Sequence, residues 1–233
     1  MANHLDLEEQ EQLDEIKHFW KQYGNAITLV LIVVLGGVAA WNGYQRWQGA
    51  QTAQAAAMYD EVERIVASGD TAQSERAFGD MRERYGSTEY APQAGLLVGR
   101  LLFEAGKADS AKSVLGWVAG QSSDAGYASV ARLRLAGLLM DSKSYDEALK
   151  VLDGVAAPEF AALVADRKAD IYMLQGQREL AKKAYLSAYQ QFDEQSQYRR
   201  LVLVKLNALG VSPGAADGTL AGAASGNVAE AGK

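Results

Sequence analysis

The 233-residue chain contains no cysteine, only two histidines and only three prolines. Without cysteine it can form no disulfide, use no thiolate nucleophile and offer no thiolate to a metal. His4 and His18 both lie in the first 22 residues, so the rest of the chain has no imidazole that could act as a general base. The sequence also lacks a glycine-rich phosphate loop and any carboxylate motif of recognisable spacing. It therefore predicts a protein that is not an enzyme and has no cofactor or metal site.

The chain also has more acidic than basic side chains, 29 against 23. Residues 1–25 carry six acidic side chains against two lysines, which accounts for −4 of the chain's net charge of −6. The remainder is nearly neutral and has no block of lysine and arginine, so it lacks the electrostatic footprint of a nucleic-acid binder. We expect no nucleic-acid partner, and we define residues 1–22 as an acidic head.

One long apolar stretch follows this head. No charged residue occurs in the 24 positions between Lys21 and Arg46. At about 1.5 Å per residue, a helix of this length crosses a hydrocarbon core of about 30 Å. Aromatic side chains flank both ends, as they do at membrane interfaces: Tyr23, Trp41, Tyr44 and Trp47. The sequence predicts a transmembrane helix over residues 23–47, in contact with the lipid bilayer.

Two other interpretations of this stretch are a buried core helix and a cleaved export signal. Ala53-Gln54-Ala55 resembles a signal cleavage site, but the preceding head is long and acidic, whereas a signal begins with a short basic region. Retention as an anchor is therefore favoured. Lys17 and Lys21 lie on the N-terminal side of the uncharged stretch and only Arg46 lies close on its other side, so the positive-inside rule places the head in the cytoplasm. In a bacterium the body would then be periplasmic.

The body contains internal repeats. Three stretches superimpose when they start at Gly99, Ala136 and Ala169, which are 37 and 33 residues apart. Each has a small residue, a bulky residue three positions later, a short break, an alanine, and a second bulky residue four positions after it. The first bulky residues are Leu102, Leu139 and Tyr172, the alanines are Ala111, Ala148 and Ala181, and the second bulky residues are Leu115, Leu152 and Tyr185. Small residues let two antiparallel helices approach closely, and the large ones fill the gaps between them.

A degenerate unit with Ala77 and Met81 precedes these three, and its first helix would be residues 48–67. An amphipathic helix over residues 197–209 could cap the stack. Ser144 and Glu147 have the spacing of a capping box at the second helix of the middle unit. The sequence thus predicts an all-α fold: a single N-terminal transmembrane helix, then a helical-repeat domain over residues 48–209. The Gly/Ala/Ser-rich residues 210–233 are predicted to be a disordered tail.

The period near 34 resembles the tetratricopeptide repeat. The sequence departs from that consensus because the first-helix tryptophan position reads Gly95, Arg132 and Ala165, and the closing proline is missing. In this frame the first helix of each pair lines a concave face. Our candidate residues for binding partners or clients on that face are Leu96, Arg100, Phe103, Leu133, Met140, Asp170, Met173 and Leu174. The same frame adds Gln93, Glu104, Val130, Asp141, Leu163 and Asp166.

Two alternatives remain for these residues. Leu133, Leu163 and Leu174 could instead be packed between repeats. Asp166 and Asp170 are one helical turn apart and could pair as catalytic carboxylates, but such pairs are usually solvated surface, and we expect the latter.

Two stretches next to the apolar segment are distinctive: "DEIKHFWKQYGN" before it and "WNGYQRWQ" at its exit. With these stretches and the repeats that follow, the whole chain closely resembles the YfgM-like family, the ancillary subunits of the bacterial SecYEG translocon. The resemblance implies a single-span inner-membrane protein with a cytoplasmic N-terminus and a periplasmic repeat domain. Its implied partners are the SecYEG translocon, a membrane-anchored periplasmic chaperone and exported client proteins. The alternative is a scaffold subunit of another cell-envelope complex, with Gly36 and Gly37 allowing close contacts of the span.

Overall fold

The computed structural model describes residues 7–213, and within this range the chain forms helices and no strand. The helices are α1 (Leu7–Ala67), α2 (Thr71–Tyr85), α3 (Tyr90–Glu104), α4 (Ala108–Gln121), α5 (Ala125–Asp141), α6 (Tyr145–Asp153), α7 (Ala161–Leu174), α8 (Arg178–Gln191) and α9 (Gln197–Ala208). A 3₁₀ turn, Pro158–Phe160, lies between α6 and α7. The all-α prediction is confirmed. The predicted tail lies outside the described residues from position 214 onward.

The chain divides into two units, residues 1–54 and 55–233. All described residues of the first unit belong to α1, which runs through the predicted span without a break. The apolar side chains of this segment are exposed; Leu29, Val33 and Leu35 are each 65–67% accessible. Such exposure excludes a core helix of this chain, since a core helix buries its apolar side chains. By length and composition α1 can cross a membrane.

In the second unit, helices that follow one another in sequence pack together from α2 through α9. Among the first helices, α5 also contacts both α3 and α7. The end of α1 contributes Val62, which is fully buried in a core cluster with residues of α2, α3, α4 and α5. Helix α9 packs on α8 with Val202 and Leu206 buried, and it spans almost the residues predicted for the cap. The stacked helix pairs and the capping helix are as expected.

The break inside each of the three clear repeats is the same turn. Gly106, Lys143 and Gly176 adopt the left-handed conformation, with φ of 74°, 59° and 75°. The next residue in each case donates its N–H to the carbonyl five residues earlier, at 2.8 Å: Lys107 to Leu102, Ser144 to Leu139 and Gln177 to Tyr172. This is the Schellman pattern that ends a helix. Each left-handed residue lies seven positions after the aligned small residue, which confirms the repeat register.

The predicted capping box is wrong. Ser144 does occupy the N-cap of α6, but its side chain accepts no hydrogen bond from the helix. Its φ and ψ of −84° and 61° match those at the N-caps Lys107 and Gln177, which have different side chains. The preceding backbone turn therefore sets the conformation of this residue, and that conformation is not the extended one from which a serine normally caps.

The small and bulky residues of the repeat pack as predicted. A Cβ on Gly99 would lie 2.9 Å from the Leu115 side chain, and one on Gly95 would lie 2.4 Å from Val118 Cγ2. The recurring alanines of the second helices are fully buried, and the bulky residues four positions later are nearly so. The helices of a pair thus approach at positions that leave little room for a larger side chain.

Candidate protein-binding groove

A cavity of about 600 Å³ opens between the first helices of the three clear repeats. We call it the groove. Its apolar lining comes from Phe103, Leu115, Val130, Leu133, Leu138, Met140, Phe160 and Leu163, and its charged lining from Arg100, Arg134, Asp141 and Arg167, with Gly99 and Gly137 completing it. Its volume falls in the range of ligand pockets, which are mostly apolar with a few polar groups. Phe103 is half exposed.

Four of the eight candidate residues line this groove: Arg100, Phe103, Leu133 and Met140. Val130, Asp141 and Leu163 of the wider set join them. Leu96 is not part of the groove lining, and its side chain packs against the core cluster formed by α2 to α5 and the end of α1. Leu174, at the end of α7, is exposed. Met173 lines a separate cavity of about 400 Å³ next to Tyr185 and Lys205.

Asp170 belongs to a polar cluster that joins α7, α8 and α9. Lys205 Nζ lies 2.8 Å from Asp166 Oδ1 and 2.7 Å from Asp170 Oδ1, and the three side chains are only 15–25% exposed. The Tyr185 hydroxyl donates to Asp170 Oδ1 at 2.5 Å. The two carboxylates are therefore not the solvated surface pair that we expected. No sequence pattern indicated that Lys205, 35 residues after Asp170, would lie between them.

Burial dominates the electrostatics of this cluster. It raises the pKa of Asp166, and the charge of Asp170 adds to the increase, although the hydrogen bond from Lys205 opposes it. The pKa of Tyr185 is also raised, by burial and by its hydrogen bond to Asp170, so the phenol keeps its proton. The cluster joins the capping helix to the last repeat.

The three arginines of the groove have different partners. Arg100 is paired with Glu104 at 2.8 Å, and both side chains are more than half exposed. Arg134 donates from Nη1 to the backbone carbonyl of Leu96 at 2.8 Å. Burial lowers the pKa of Arg134, and the charge of Arg100 lowers it further. The half-buried Arg167 forms no salt bridge with any residue among 7–213. Positive charge thus predominates in the groove.

Arg134, Phe160 and Arg167 also line the groove but were not among the predicted residues. Two of them carried a signal, because Arg134 is four positions after Val130 and Arg167 is four after Leu163, which puts each on the same helix face as a predicted groove residue. Phe160 carried none, since it lies in the 3₁₀ turn outside the repeat frame. In the described part of the chain, no group of three or more His, Asp and Glu side chains is placed to hold a metal ion.

These features define a tetratricopeptide-like helical solenoid with one apolar N-terminal helix. The tetratricopeptide repeat-like domain family matches residues 17–211. An ancillary SecYEG translocon subunit of Neisseria gonorrhoeae is 31% identical over 210 residues, which cover 90% of this chain and 100% of the relative. Proteins of the same description from Haemophilus influenzae and Escherichia coli K12 are 28% and 24% identical and cover 87% and 76% of this chain, and 98% and 85% of their own lengths. The chain belongs to the YfgM-like family of ancillary SecYEG translocon subunits.

Among solved structures, residues 41-end of MamA from Desulfovibrio magneticus RS-1 align with a TM-score of 0.48 and 20% identity. That alignment covers 67% of this chain and 89% of the other.

Proposed function

We propose that this chain is a single-pass inner-membrane protein that associates with the SecYEG translocon and helps to pass exported proteins to periplasmic chaperones. Its groove would bind apolar segments of exported clients or of a membrane-anchored chaperone, and the protein would catalyse no reaction. The observation that carries the proposal is the open, largely apolar groove in a chain whose relatives, matched over most of their length, are described as translocon subunits.

The chemistry of the groove suits weak binding of varied segments. Met140 is a flexible side chain that adapts to different apolar shapes. A membrane anchor beside an export channel would raise the effective concentration of the groove toward emerging segments, so tight binding is not required. Weak binding also allows rapid release to a chaperone.

We further propose that α1 is retained as the anchor, with the head in the cytoplasm and the repeat domain in the periplasm. Lys17 and Lys21 before the apolar stretch, against Arg46 after it, support this orientation. The absence of native cysteine permits a clean test. In intact spheroplasts, a membrane-impermeant maleimide should label Ser113→Cys but not Leu13→Cys, and the full-length mass should be preserved. The reverse labelling would invert the orientation, and loss of the N-terminus would show that the stretch is a cleaved signal.

Photocrosslinking in intact cells tests the groove. A photoreactive residue at the half-exposed Phe103 should form adducts with translocon subunits, a periplasmic chaperone or exported proteins. The same group at Ser113, on the exposed surface of α4, is the control and should give few of these adducts. Adducts with cytoplasmic proteins alone would contradict the proposal. A different stable envelope complex would instead support the scaffold alternative.

Blocking the groove provides a second test. Gly137 lines the groove, and a Cβ there would meet no described atom within 4 Å. Gly137→Leu should therefore fill the groove without straining the core, and crosslinking from Phe103 should fall. Gly116→Leu is a matched control, because Gly116 is equally open but belongs to α4 and lies outside the groove lining. Equal crosslinking in both variants would reject the groove as the binding site.

A further inference from the structure

The groove combines an apolar floor with an excess of positive charge. Arg100, Arg134 and Arg167 line it, whereas Asp141 is the one acidic residue in its lining. Glu104 neutralises part of this excess, because it pairs with Arg100 outside the cavity lining. Neither Arg134 nor Arg167 forms a salt bridge among residues 7–213, although the charge of Arg167 acts on the neighbouring Asp166.

Of these two arginines, Arg134 is exposed but is held in place by a hydrogen bond to the backbone. Arg167 is half-buried. Arg134 has one Nη committed to a backbone carbonyl, which fixes its position and leaves its other donors available. A guanidinium next to apolar surface is incompletely hydrated, and its planar set of donors matches the two oxygens of a carboxylate. An apolar segment that also brings a carboxylate would satisfy both features of the groove at once.

We propose that the groove selects apolar peptide segments that carry acidic side chains. Arg134 and Arg167 would bind the carboxylate, while Phe103, Leu133 and Leu163 pack against the neighbouring apolar side chains. This inference rests on the proposed function and specifies the class of segment that the groove takes. Purely apolar segments would bind more weakly, and basic ones would be repelled.

The test uses the full chain in nanodiscs of zwitterionic phosphatidylcholine and fluorescence anisotropy of three peptides with a neutral dye. The peptides are GSLEFDLSG, its amide counterpart GSLQFNLSG and the basic GSLKFKLSG. We expect the acidic peptide to bind roughly tenfold more tightly than the amide peptide, the gain typical of one charge-assisted hydrogen bond. The basic peptide should bind most weakly, and the acidic preference should shrink as NaCl is raised.

A double substitution, Arg134→Gln with Arg167→Gln, should bring the acidic peptide to the affinity of the amide peptide and leave the latter unchanged. The control Arg76→Gln with Arg200→Gln removes the same charge from exposed positions on α2 and α9 and should retain the preference. Equal affinity of the native chain for acidic and amide peptides, or a preference that survives the groove substitution, overturns the selectivity alone. Failure of all three peptides to bind overturns the groove as a binding site and the proposed function with it.

Discussion

Replacing Gly95 in α3 by alanine should destabilise the repeat domain, although this substitution normally strengthens a helix. The added Cβ would lie 2.4 Å from Val118 Cγ2 and 3.0 Å from the Phe78 ring, and both neighbours are buried. Valine is stiff at χ1 and cannot turn its methyl group away easily. Overpacking of this kind costs about 1–3 kcal/mol, and the very short approach indicates the upper end. Alanine recovers about 1 kcal/mol of helix propensity, which leaves a net loss of about 2 kcal/mol.

The measurement is urea unfolding of the full chain in detergent micelles, followed by circular dichroism at 222 nm. Gly79→Ala in α2 is the matched control, because a Cβ there would meet no described atom within 4 Å. It should raise the free energy of unfolding by about 1 kcal/mol, so the same chemical change has opposite signs at the two positions. If Gly95→Ala stabilised the protein as much as the control, the close approach of α3 to Val118 would be refuted.

Three further substitutions have predicted outcomes. Lys143→Gly should raise the free energy of unfolding by about 1 kcal/mol, seen as a higher urea midpoint, because it relieves a left-handed lysine where the other repeats have glycine. Lys205→Met should cost about 2–3 kcal/mol, since it leaves two half-buried carboxylates without their cation, and hydrogen exchange in α9 should accelerate first. The folded state raises the pKa of Asp166 and therefore binds its proton more tightly than the unfolded state does. The stability that this proton binding contributes is fully present below the ordinary pKa of 3.8, and it is lost as the pH rises through the raised pKa. Asp166→Asn should therefore gain stability relative to the native chain between about pH 4 and pH 7 and match it below, as measured by urea midpoints across pH.

Much of the fold was predictable because the repeat places the same physical demand at the same register three times. A position that must be small, such as Gly99, and one that must fill space, such as Leu115, leave a readable pattern in the sequence. The predicted capping box was wrong because the backbone, and not the side chain, determines this helix start. The motif at Ser144 describes a side-chain bond, whereas the backbone turn that precedes it had already fixed the N-cap conformation.

The groove was less predictable than the fold. Arg100, Phe103, Leu133 and Met140 followed from the register alone, since the same helix face recurs in each pair. The last repeat departs from this rule because α9 packs beside it, and Lys205 reaches residues 35 and 39 positions earlier in the chain. Such a contact depends on how the end of the stack folds over, which no local periodicity encodes.

One register position explains why the groove lies in the middle of the stack. Arg100, Gly137 and Asp170 are equivalent in the three repeats, each being one residue after the aligned small residue. In the first of the three repeats, Arg100 places a charged side chain in the groove lining. In the last repeat, Asp170 is bonded to Lys205 and Tyr185. Only the central repeat has no side chain at this position, and an added Cβ would meet open space. The core positions of the repeats keep similar residues because packing demands them, whereas this surface position varies freely. The difference between arginine, glycine and aspartate at one position thus explains why the groove is open at the central repeat.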